Sequence, residues 1–533
     1  MITVKSCAQT NADPKAVENE LVKKILDSPM EENLFKEALR IVQSTNEAPE
    51  NLENVLISTL PKEPSFQSCR NWMFQQKART AARLRFEWIM AEPSTNGSWS
   101  YLQKAQRNWE RKMLRSLNSM CQELGIRLAG KRDIRQNEAI LENWTELSLV
   151  FNKTSAIKPV YGPKDLLEVL IYIRHPNTNP PLRSYNEDDA NGNFPYWGLF
   201  NLPMRVKDIT ELSEFYHPLS MEYSQCGIDE LFSTSFAKTR EQEAEEILRT
   251  NSSEAAQIYL KRGCPLGFRA QMWTLYLNAN VTDEDARYYE YLKMRIAEEE
   301  SMTDLLICKE VQLIASNDEM HFVFCDYTYQ VLLPFTRDAT VREHFRTTIA
   351  SPPKVVDKQN SESCVFPPSG VIPFHGFSMY VLPLCYLYDD PVTLYVIFRQ
   401  LYIRYFHKLH AISNDSSGIL GLCVLFERLL QAREPQVFFH LRSHGIQPVR
   451  FVFKWLMRAF SGFLTPDQVL LLWDRILGFD SLEVLAVLAV AIFSYRRANL
   501  LLVNNSAGVE AILADLTPLK IVSLLQLVLF TRN

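Results

Sequence analysis

Two pairs of histidines have the spacing at which successive helix turns could present two metal ligands on one face. His407 and His410 are three residues apart, and His440 and His444 are four residues apart. Neither pair encloses the carboxylate that a metalloprotease helix requires. The sequence also contains no Gly-x-Ser-x-Gly, Rossmann or P-loop pattern. We interpret the histidines as ordinary helix residues and predict no metal, no cofactor and no enzyme chemistry carried by this chain alone.

Three other short motifs combine glycine, charged and aromatic residues. They are residues 263–273 (Gly-Cys-Pro-Leu-Gly-Phe-Arg-Ala-Gln-Met-Trp), 307–313 (Ile-Cys-Lys-Glu-Val-Gln-Leu) and 374–377 (Phe-His-Gly-Phe). Lys309 and Leu313 are four residues apart, so on a helix they share one face. A lysine there carries a point charge, whereas leucine offers neither charge nor hydrogen-bond donor. A histidine at 375 could donate one hydrogen bond.

The elements around these motifs have helical periodicity. Apolar residues recur at helix spacing in 16–41, 72–90 and 102–128, and almost everything after residue 250 follows the same pattern. Thr465-Pro466 begins a helix, for which we expect a capping box with Gln468. Asp390-Pro391 begins another. The sequence therefore predicts an all-α fold.

Two stretches do not follow this periodicity. The pattern weakens between residues 155 and 235, where a Pro/Asn-rich loop reaches Asn193. Residues 351–370 form a Pro/Ser/Lys-rich stretch without apolar periodicity, and loops of that length in compact domains are usually functional or disordered. Both interpretations of the 351–370 loop stay open.

Charge is distributed unevenly along the 533 residues. The net charge is only −5, but residues 70–135 contain fourteen Lys or Arg against five Asp or Glu. This basic segment could be a solvated helical face, or it could contact an acidic partner or an anionic membrane surface. No nucleic-acid-binding motif accompanies it, so we predict no nucleic-acid partner.

The ten cysteines occur without a C-x-x-C pair or a zinc-ligand spacing. They are typical of the reduced thiols of a cytoplasmic protein. The first residues lack the apolar core of a signal peptide. The longest apolar run, 484–493, is about half of what a bilayer requires, so we expect a buried helix there.

Taken in order, the motifs resemble those of TBC domains, the helical domains that accelerate GTP hydrolysis on Rab GTPases. The resemblance covers roughly residues 255–500. It is carried by residues of the opening Gly-x-Pro and Arg-x-x-x-Trp motif and of the closing helices: Gly263, Pro265, Arg269, Trp273, Trp455, Trp473 and Asp474. In that family Arg269 would brace helices, and we expect it to pair with an acid.

The two catalytic signatures of the family are altered in this chain. In Ile-x-x-Asp-x-x-Arg, Glu310 replaces the aspartate and Leu313 replaces the arginine. In Tyr-x-Gln-Gly-Met, His375 replaces the glutamine before Gly376. Positions 313 and 375 are called the finger positions below. The resemblance implies a partner-binding surface, without the family's catalytic residues, at Lys309, Glu310, Leu313, His375 and Gly376.

The resemblance also sets the predicted domain organisation. We expect a basic helical N-terminal region at 1–150, a loop-rich connection at 151–250, the TBC domain at 251–505 and a helical tail at 506–533.

Three functions follow from the resemblance and the altered signatures. The first is a Rab-binding regulator with weak or no GTPase activation. The second is an active GTPase-activating protein that uses other residues, with Lys309 as the first candidate and Arg337 and Arg342 as weaker ones. The third is an interaction module for a partner other than a Rab, with the 351–370 loop reshaping the surface.

Overall fold

The computed structural model describes only part of the chain. The described residues are Lys36, 100–151, 157–173, 198–200, 202, 204–229, 233–317, 322–345, 354–356 and 363–531. The chain divides into two compact units, one of Met1–Ala91 with Thr250–Ala255 and one of Glu92–Arg249 with Ala256–Asn533. The site considered below lies in the second unit. The helices expected at 16–41 and 72–90 lie, apart from Lys36, outside the described residues, as does the part of the basic segment before residue 100.

The all-α prediction is confirmed. Within the described residues, strands occur only as two short antiparallel ladders, and the remaining regular structure is helical. The helices that precede the first motif are α1 (Ser100–Leu124), α2 (Ile134–Glu142), α3 (Leu147–Val150), α4 (Pro163–Ile171), α5 (Ile209–Phe215), α6 (Thr234–Thr250) and α7 (Ser253–Leu260).

The motif-bearing part continues with further helices. They are α8 (Leu266–Leu277), α9 (Asp283–Glu298), α10 (Met302–Asn317), α11 (Cys325–Arg337), α12 (Ala339–Glu343), α13 (Pro391–Arg404), α14 (Ile419–Arg433), α15 (Pro435–Ser443), α16 (Val449–Met457), α17 (Pro466–Phe479), α18 (Glu483–Tyr495), α19 (Arg497–Leu500), α20 (Ser506–Leu513) and α21 (Ile521–Phe530). Short 3-10 helices at Phe377–Tyr380, Leu382–Tyr386 and Phe406–Leu409 connect some of them.

Helix α1 is strongly amphipathic. Its buried residues are Leu102, Trp109, Met113, Leu117 and Cys121, which recur at intervals of four and seven positions. This spacing places them on one face, as helix periodicity requires. The C-terminal part of that face packs at the start of α10, where Leu117 and Cys121 share a cluster with Met302 and Leu306. Leu102, Trp109 and Met113 belong to the main core.

The first β-ladder joins the chain after α1 to the chain just before α10. Strand β1 (Ala129–Lys131) pairs antiparallel with β2 (Glu299–Ser301), with Ala129 opposite Ser301 and Lys131 opposite Glu299. Helix α10 begins at Met302, directly after β2. The ladder therefore ties residues 129–131 to the helix that carries the second motif.

The predicted 351–370 loop contains a second ladder. Strand β3 (Lys354–Val356) pairs antiparallel with β4 (Ser363–Val365), and Phe366 and Ser369 just beyond it are buried. Part of this stretch is therefore ordered against the helical body, although its sequence has no apolar periodicity.

The core is built around α14, α18 and α21. Every residue from Val484 to Phe493 in α18 is buried, which confirms the interpretation of that apolar run as a core helix. No helix among the described residues is long and apolar enough to cross a membrane.

The start of α17 matches the sequence pattern only in part. The helix begins at Pro466 as predicted, but the side chain of Thr465 makes no capping hydrogen bond. The capping-box prediction is wrong because the Gln468 side chain is used elsewhere. Its oxygen accepts a hydrogen bond of 3.0 Å from the Ile521 amide at the start of α21. By contrast, Asp390 caps α13 by accepting from the Thr393 amide.

The C-terminal residues expected as a helical tail include an element of the core. In α21, Ile521, Leu525 and Val528 are at most 2% exposed. The carbonyl of Leu529 accepts a hydrogen bond of 2.7 Å from the Ser213 hydroxyl. The predicted boundaries at 150, 250 and 505 themselves stay predictions.

Candidate functional site

The opening and closing motifs meet at the buried carboxylate of Asp474. Arg269 Nε lies 3.1 Å from both Asp474 oxygens, and Trp273 Nε1 donates to Oδ1 at 2.7 Å. The amide of Cys264 donates to Oδ2 at 3.0 Å. Arg269 also donates from Nη2 to the Cys264 carbonyl. Arg269 thus uses its donors to connect α8 to α17, and it is not available to a partner.

Gly263, Pro265 and the tryptophans complete this brace. Gly263 has a φ of +85°, and a Cβ on it would lie 2.4 Å from Arg475 Nη1, so only glycine fits. Pro265 immediately precedes α8. Trp473 stacks on Trp273 and donates from Nε1 to the Ala459 carbonyl.

Trp455 adds a second buried ring next to this brace. It is 1% exposed and packs against Phe460. All seven residues that carry the resemblance at the two ends of the domain are therefore in packing and bracing positions.

The position of α10 is set by Asp304 in its first turn. Asp304 accepts a bidentate pair from Arg337, at 2.5 Å and 2.7 Å, and a third bond of 3.0 Å from Arg132. The Ser301 amide donates to the same carboxylate. Because Arg337 is 3% exposed and fully engaged, it cannot act as a substitute for the missing arginine.

Arg342, the other weak candidate, lies against the backbone of Gly370. A Cβ on that glycine would be 3.2 Å from Arg342 Cγ. The side chain is partly exposed.

The second motif lies on α10 with its two faces clearly divided. Ile307 and Glu310 are 0% and 4% exposed, whereas Lys309 and Leu313 are partly exposed. Lys309 and Leu313 therefore share the outer side of the helix, as their spacing predicts. At the first finger position, the chain presents an isobutyl group.

The second and third motifs converge on the Glu310 carboxylate. Its Oε2 accepts a hydrogen bond of 2.6 Å from the Gly376 amide, and its Oε1 lies 3.0 Å from His375 Nδ1. The Glu310 side chain is 5% exposed and the His375 side chain 46% exposed. The buried Glu310 carboxylate thus binds the His375 side chain and the Gly376 backbone amide, at the positions of the family's Gln-Gly pair.

This contact decides what His375 can offer a partner. A carboxylate is only an acceptor, so Nδ1 carries the proton in the Glu310 contact. In the neutral imidazole, Nε2 is then an acceptor without a proton. A glutamine amide would present both a donor and an acceptor from one side chain, so His375 replaces only part of that function.

Arg458 completes the site and was not singled out by the sequence patterns. It follows the last residue of α16, and its Nη2 donates to the His375 carbonyl at 3.1 Å. The guanidinium also lies 5.7 Å from the Phe463 ring centre. No sequence signal connects position 458 with position 375, since the contact depends on how α16 packs.

Residues N-terminal to the motifs also reach this site. The His375 amide donates to the Tyr161 carbonyl at 2.9 Å, and the Tyr161 ring packs between Trp109 and Phe374. Gln312, next to the first finger position, donates from Nε2 to the Phe151 carbonyl at 3.3 Å. The described residues between 100 and 173 are therefore part of the structure that supports both motifs, which sequence reasoning did not foresee.

The fold and these braced motifs define a TBC-domain protein. Residues 374–501 match the Rab-GTPase-TBC domain family, and the match begins at the third motif. The chain is 48% identical over 441 residues to human TBC1 domain family member 19, with 81% of this chain and 82% of the relative covered. This chain belongs to the TBC domain family.

Proposed function

We propose that the protein binds a Rab-family GTPase and accelerates its GTP hydrolysis weakly or not at all. The observation that carries the proposal is the composition of the finger positions on an intact scaffold. Leu313 lies on the outer side of α10 and His375 is held by Glu310, while the bracing network around Asp474 is complete.

The energetic argument rests on the charge that develops during phosphoryl transfer. An arginine supplied in trans accelerates GTP hydrolysis by about 10³ to 10⁵, which corresponds to roughly 4–7 kcal/mol of activation free energy. Leucine supplies no charge and no hydrogen bond. With its Nδ1 directed to Glu310, His375 offers an attacking water only its Nε2 atom.

An active GTPase-activating protein with non-standard residues is the second candidate. The observation that favours it is the shared, partly exposed face of Lys309 and Leu313 on α10. Lys309 is one turn displaced from the family's arginine, and small displacements from productive geometry are costly in catalysis. If the wild-type protein shows activation, Lys309→Ala should abolish it, and unchanged activity would exclude this residue.

Single-turnover GTP hydrolysis on a panel of Rab GTPases, with binding measured in parallel, tests the proposal. Binding with acceleration well below 10³-fold is expected. Acceleration of about 10³-fold or more on any Rab would overturn it. Absence of binding across the panel would also overturn it and would favour an interaction module for another class of partner.

A cytoplasmic location, with peripheral attachment to endomembranes, forms part of the proposal. The outer face of α1 carries exposed cations at Lys104, Arg107, Arg111 and Arg115. Clustered Lys and Arg gain about 1 kcal/mol each near an anionic membrane surface. An acidic protein partner could use the same face.

A further inference from the structure

Arg458 lies where α16 meets the third motif. Its Nη2 donates to the carbonyl of His375, the residue at the second finger position. The same His375 holds Glu310 through its imidazole. The guanidinium is therefore attached to the backbone of the altered signature, next to the surface that a docked GTPase would face.

Gly376 makes this position possible. It has a φ of +99°, and a Cβ on it would lie 2.1 Å from Arg458 Nε and 2.4 Å from Cζ. Any larger residue at 376 would displace the guanidinium. The glycine that follows the second finger position thus provides the space in which the arginine rests.

The surroundings leave the guanidinium with unused hydrogen-bonding capacity. In the part of the chain that the structure describes, its one hydrogen bond is the Nη2 contact, and the buried Nε has no partner. The side chain as a whole is partly exposed. Burial lowers the pKa of Arg458, and the nearby Glu310 carboxylate opposes that shift. An arginine stays ionised at neutral pH, so this is a partly desolvated, underused cation.

The other arginines considered at this site are occupied or lie elsewhere. Arg337 binds Asp304 through both terminal nitrogens, Nη1 and Nη2, and Arg269 binds Asp474. Arg342 packs on Gly370, outside the contact between the two signatures. Arg458 is the one of these four arginines that touches a finger position directly.

We propose that Arg458 binds the terminal phosphate of the nucleotide in a docked GTPase and so makes binding selective for the GTP-bound state. This inference rests on the proposed function, because it requires a GTPase over positions 313 and 375. A planar guanidinium with free N–H donors suits phosphate oxygens, and hydrogen bonds between ions are the stronger ones. Held by the His375 carbonyl, the guanidinium cannot follow the charge that develops during phosphoryl transfer. The contact therefore adds affinity for the GTP-bound state and does not accelerate hydrolysis as a catalytic arginine does.

The test measures dissociation constants for a bound Rab loaded with GDP or with a non-hydrolysable GTP analogue. The full-length wild type is compared with Arg458→Ala, Arg458→Gln and Arg458→Lys. Arg450→Ala is the matched control, since Arg450 is an exposed arginine two turns earlier, at the start of α16, paired with Glu168 and Gln447. Thermal unfolding establishes that each variant is folded, and Arg458→Gln serves if the alanine variant is not.

We expect Arg458→Ala to weaken binding of the GTP-analogue form about 10-fold or more, while binding of the GDP form changes less than about 2-fold. Arg458→Lys should keep part of the preference, and Arg450→Ala should keep all of it. Equal losses for both nucleotide states would show that Arg458 only braces the His375–Gly376 turn, and would overturn the inference. No loss in either state would overturn it as well. If wild type binds no Rab in either state, the proposed function itself fails, which is a different result from binding without nucleotide discrimination.

Discussion

At the scale of single residues, the finger positions offer the most direct prediction. Leu313→Arg combined with His375→Gln should convert the protein toward measurable GTPase activation, because both family side chains return to an intact scaffold. The hydrogen bond from the Gly376 amide to Glu310 does not depend on the side chain at position 375. Acceleration should approach the low end of an arginine's contribution, about 10³-fold, in single-turnover hydrolysis on a bound Rab.

Each single variant is the control for that pair. Leu313→Arg alone should give most of the gain, since the arginine carries the charge. A double variant that is folded and binds the Rab, yet gives no acceleration, would contradict the view that these two positions limit GTPase activation.

Two half-buried histidines predict how stability depends on pH. Burial lowers the pKa of His407 to about 3 and of His410 to about 4. Below pH ~6.5 the unfolded chain binds protons that the folded one does not. The stability that depends on these neutral histidines is therefore fully present above pH ~6.5. It is lost progressively as the pH falls from ~6.5 toward the folded-state pKa values. Each histidine contributes roughly 2 kcal/mol of loss between pH 7 and pH 5.

Urea unfolding at pH 7 and pH 5 measures this effect. His410→Gln keeps a partner for the Tyr402 hydroxyl, which lies 2.9 Å from His410 Nε2. It should remove about half of the loss due to the pair. Equal pH dependence in wild type and His410→Gln would refute the assignment.

The sequence predicts the contact of a residue better when its partner belongs to another motif of the same family. An acid partner was expected for Arg269, and the structure places Asp474 of the closing helices beside it. Arg458 and Tyr161 could not be found in this way. Their contacts with His375 depend on the packing of α16 and on a segment more than 200 residues earlier in the chain.

At the scale of elements, α21 yields a prediction about packing. Helix α21 packs on α18. Leu525 is 0% exposed, whereas Leu527 on the same helix is 39% exposed. Leu525→Ala should lower the free energy of unfolding by roughly 2–5 kcal/mol, because it leaves a cavity in the core. Leu527→Ala, the matched control, should change it by less than about 1 kcal/mol. Similar losses for both, by chemical denaturation, would mean that α21 does not belong to the cooperative core.

Helices were predictable from the sequence because their signal is local. The starts of α13 and α17 follow from Asp390-Pro391 and Thr465-Pro466. The capping box at α17 failed because Gln468 has a tertiary partner in α21. The two ladders were missed because each strand has three residues, and the partner of β1 lies far along the chain.

At the scale of the whole molecule, the basic face of α1 predicts attachment to anionic membranes. We expect the protein to co-sediment with vesicles of phosphatidylserine and phosphatidylcholine at low salt, and less with phosphatidylcholine alone. Arg107→Glu with Arg111→Glu should reduce binding by about 10-fold or more, since each cation contributes about 1 kcal/mol. High salt should have a similar effect.

Asn108→Gln with Asn118→Gln is the matched control for these vesicles. Both residues are exposed on the same helix and carry no charge. If wild type and the charge-reversed variant bind equally, or if binding ignores salt, α1 does not attach the protein to membranes through its charge.

The contact between Arg132 and Asp304 has a consequence for the order in which the protein is made. The two residues are 172 positions apart, and the β1–β2 ladder spans a similar separation. At synthesis rates of roughly 5–20 residues per second, α1 leaves the ribosome about 10 to 35 s before α10 can receive it. During that interval Leu117 and Cys121 lack their native contacts with Met302 and Leu306 of α10. We therefore expect the nascent chain to need chaperones until the second motif has been translated. Helix α10 obtains its support only if the early segment stays soluble until then.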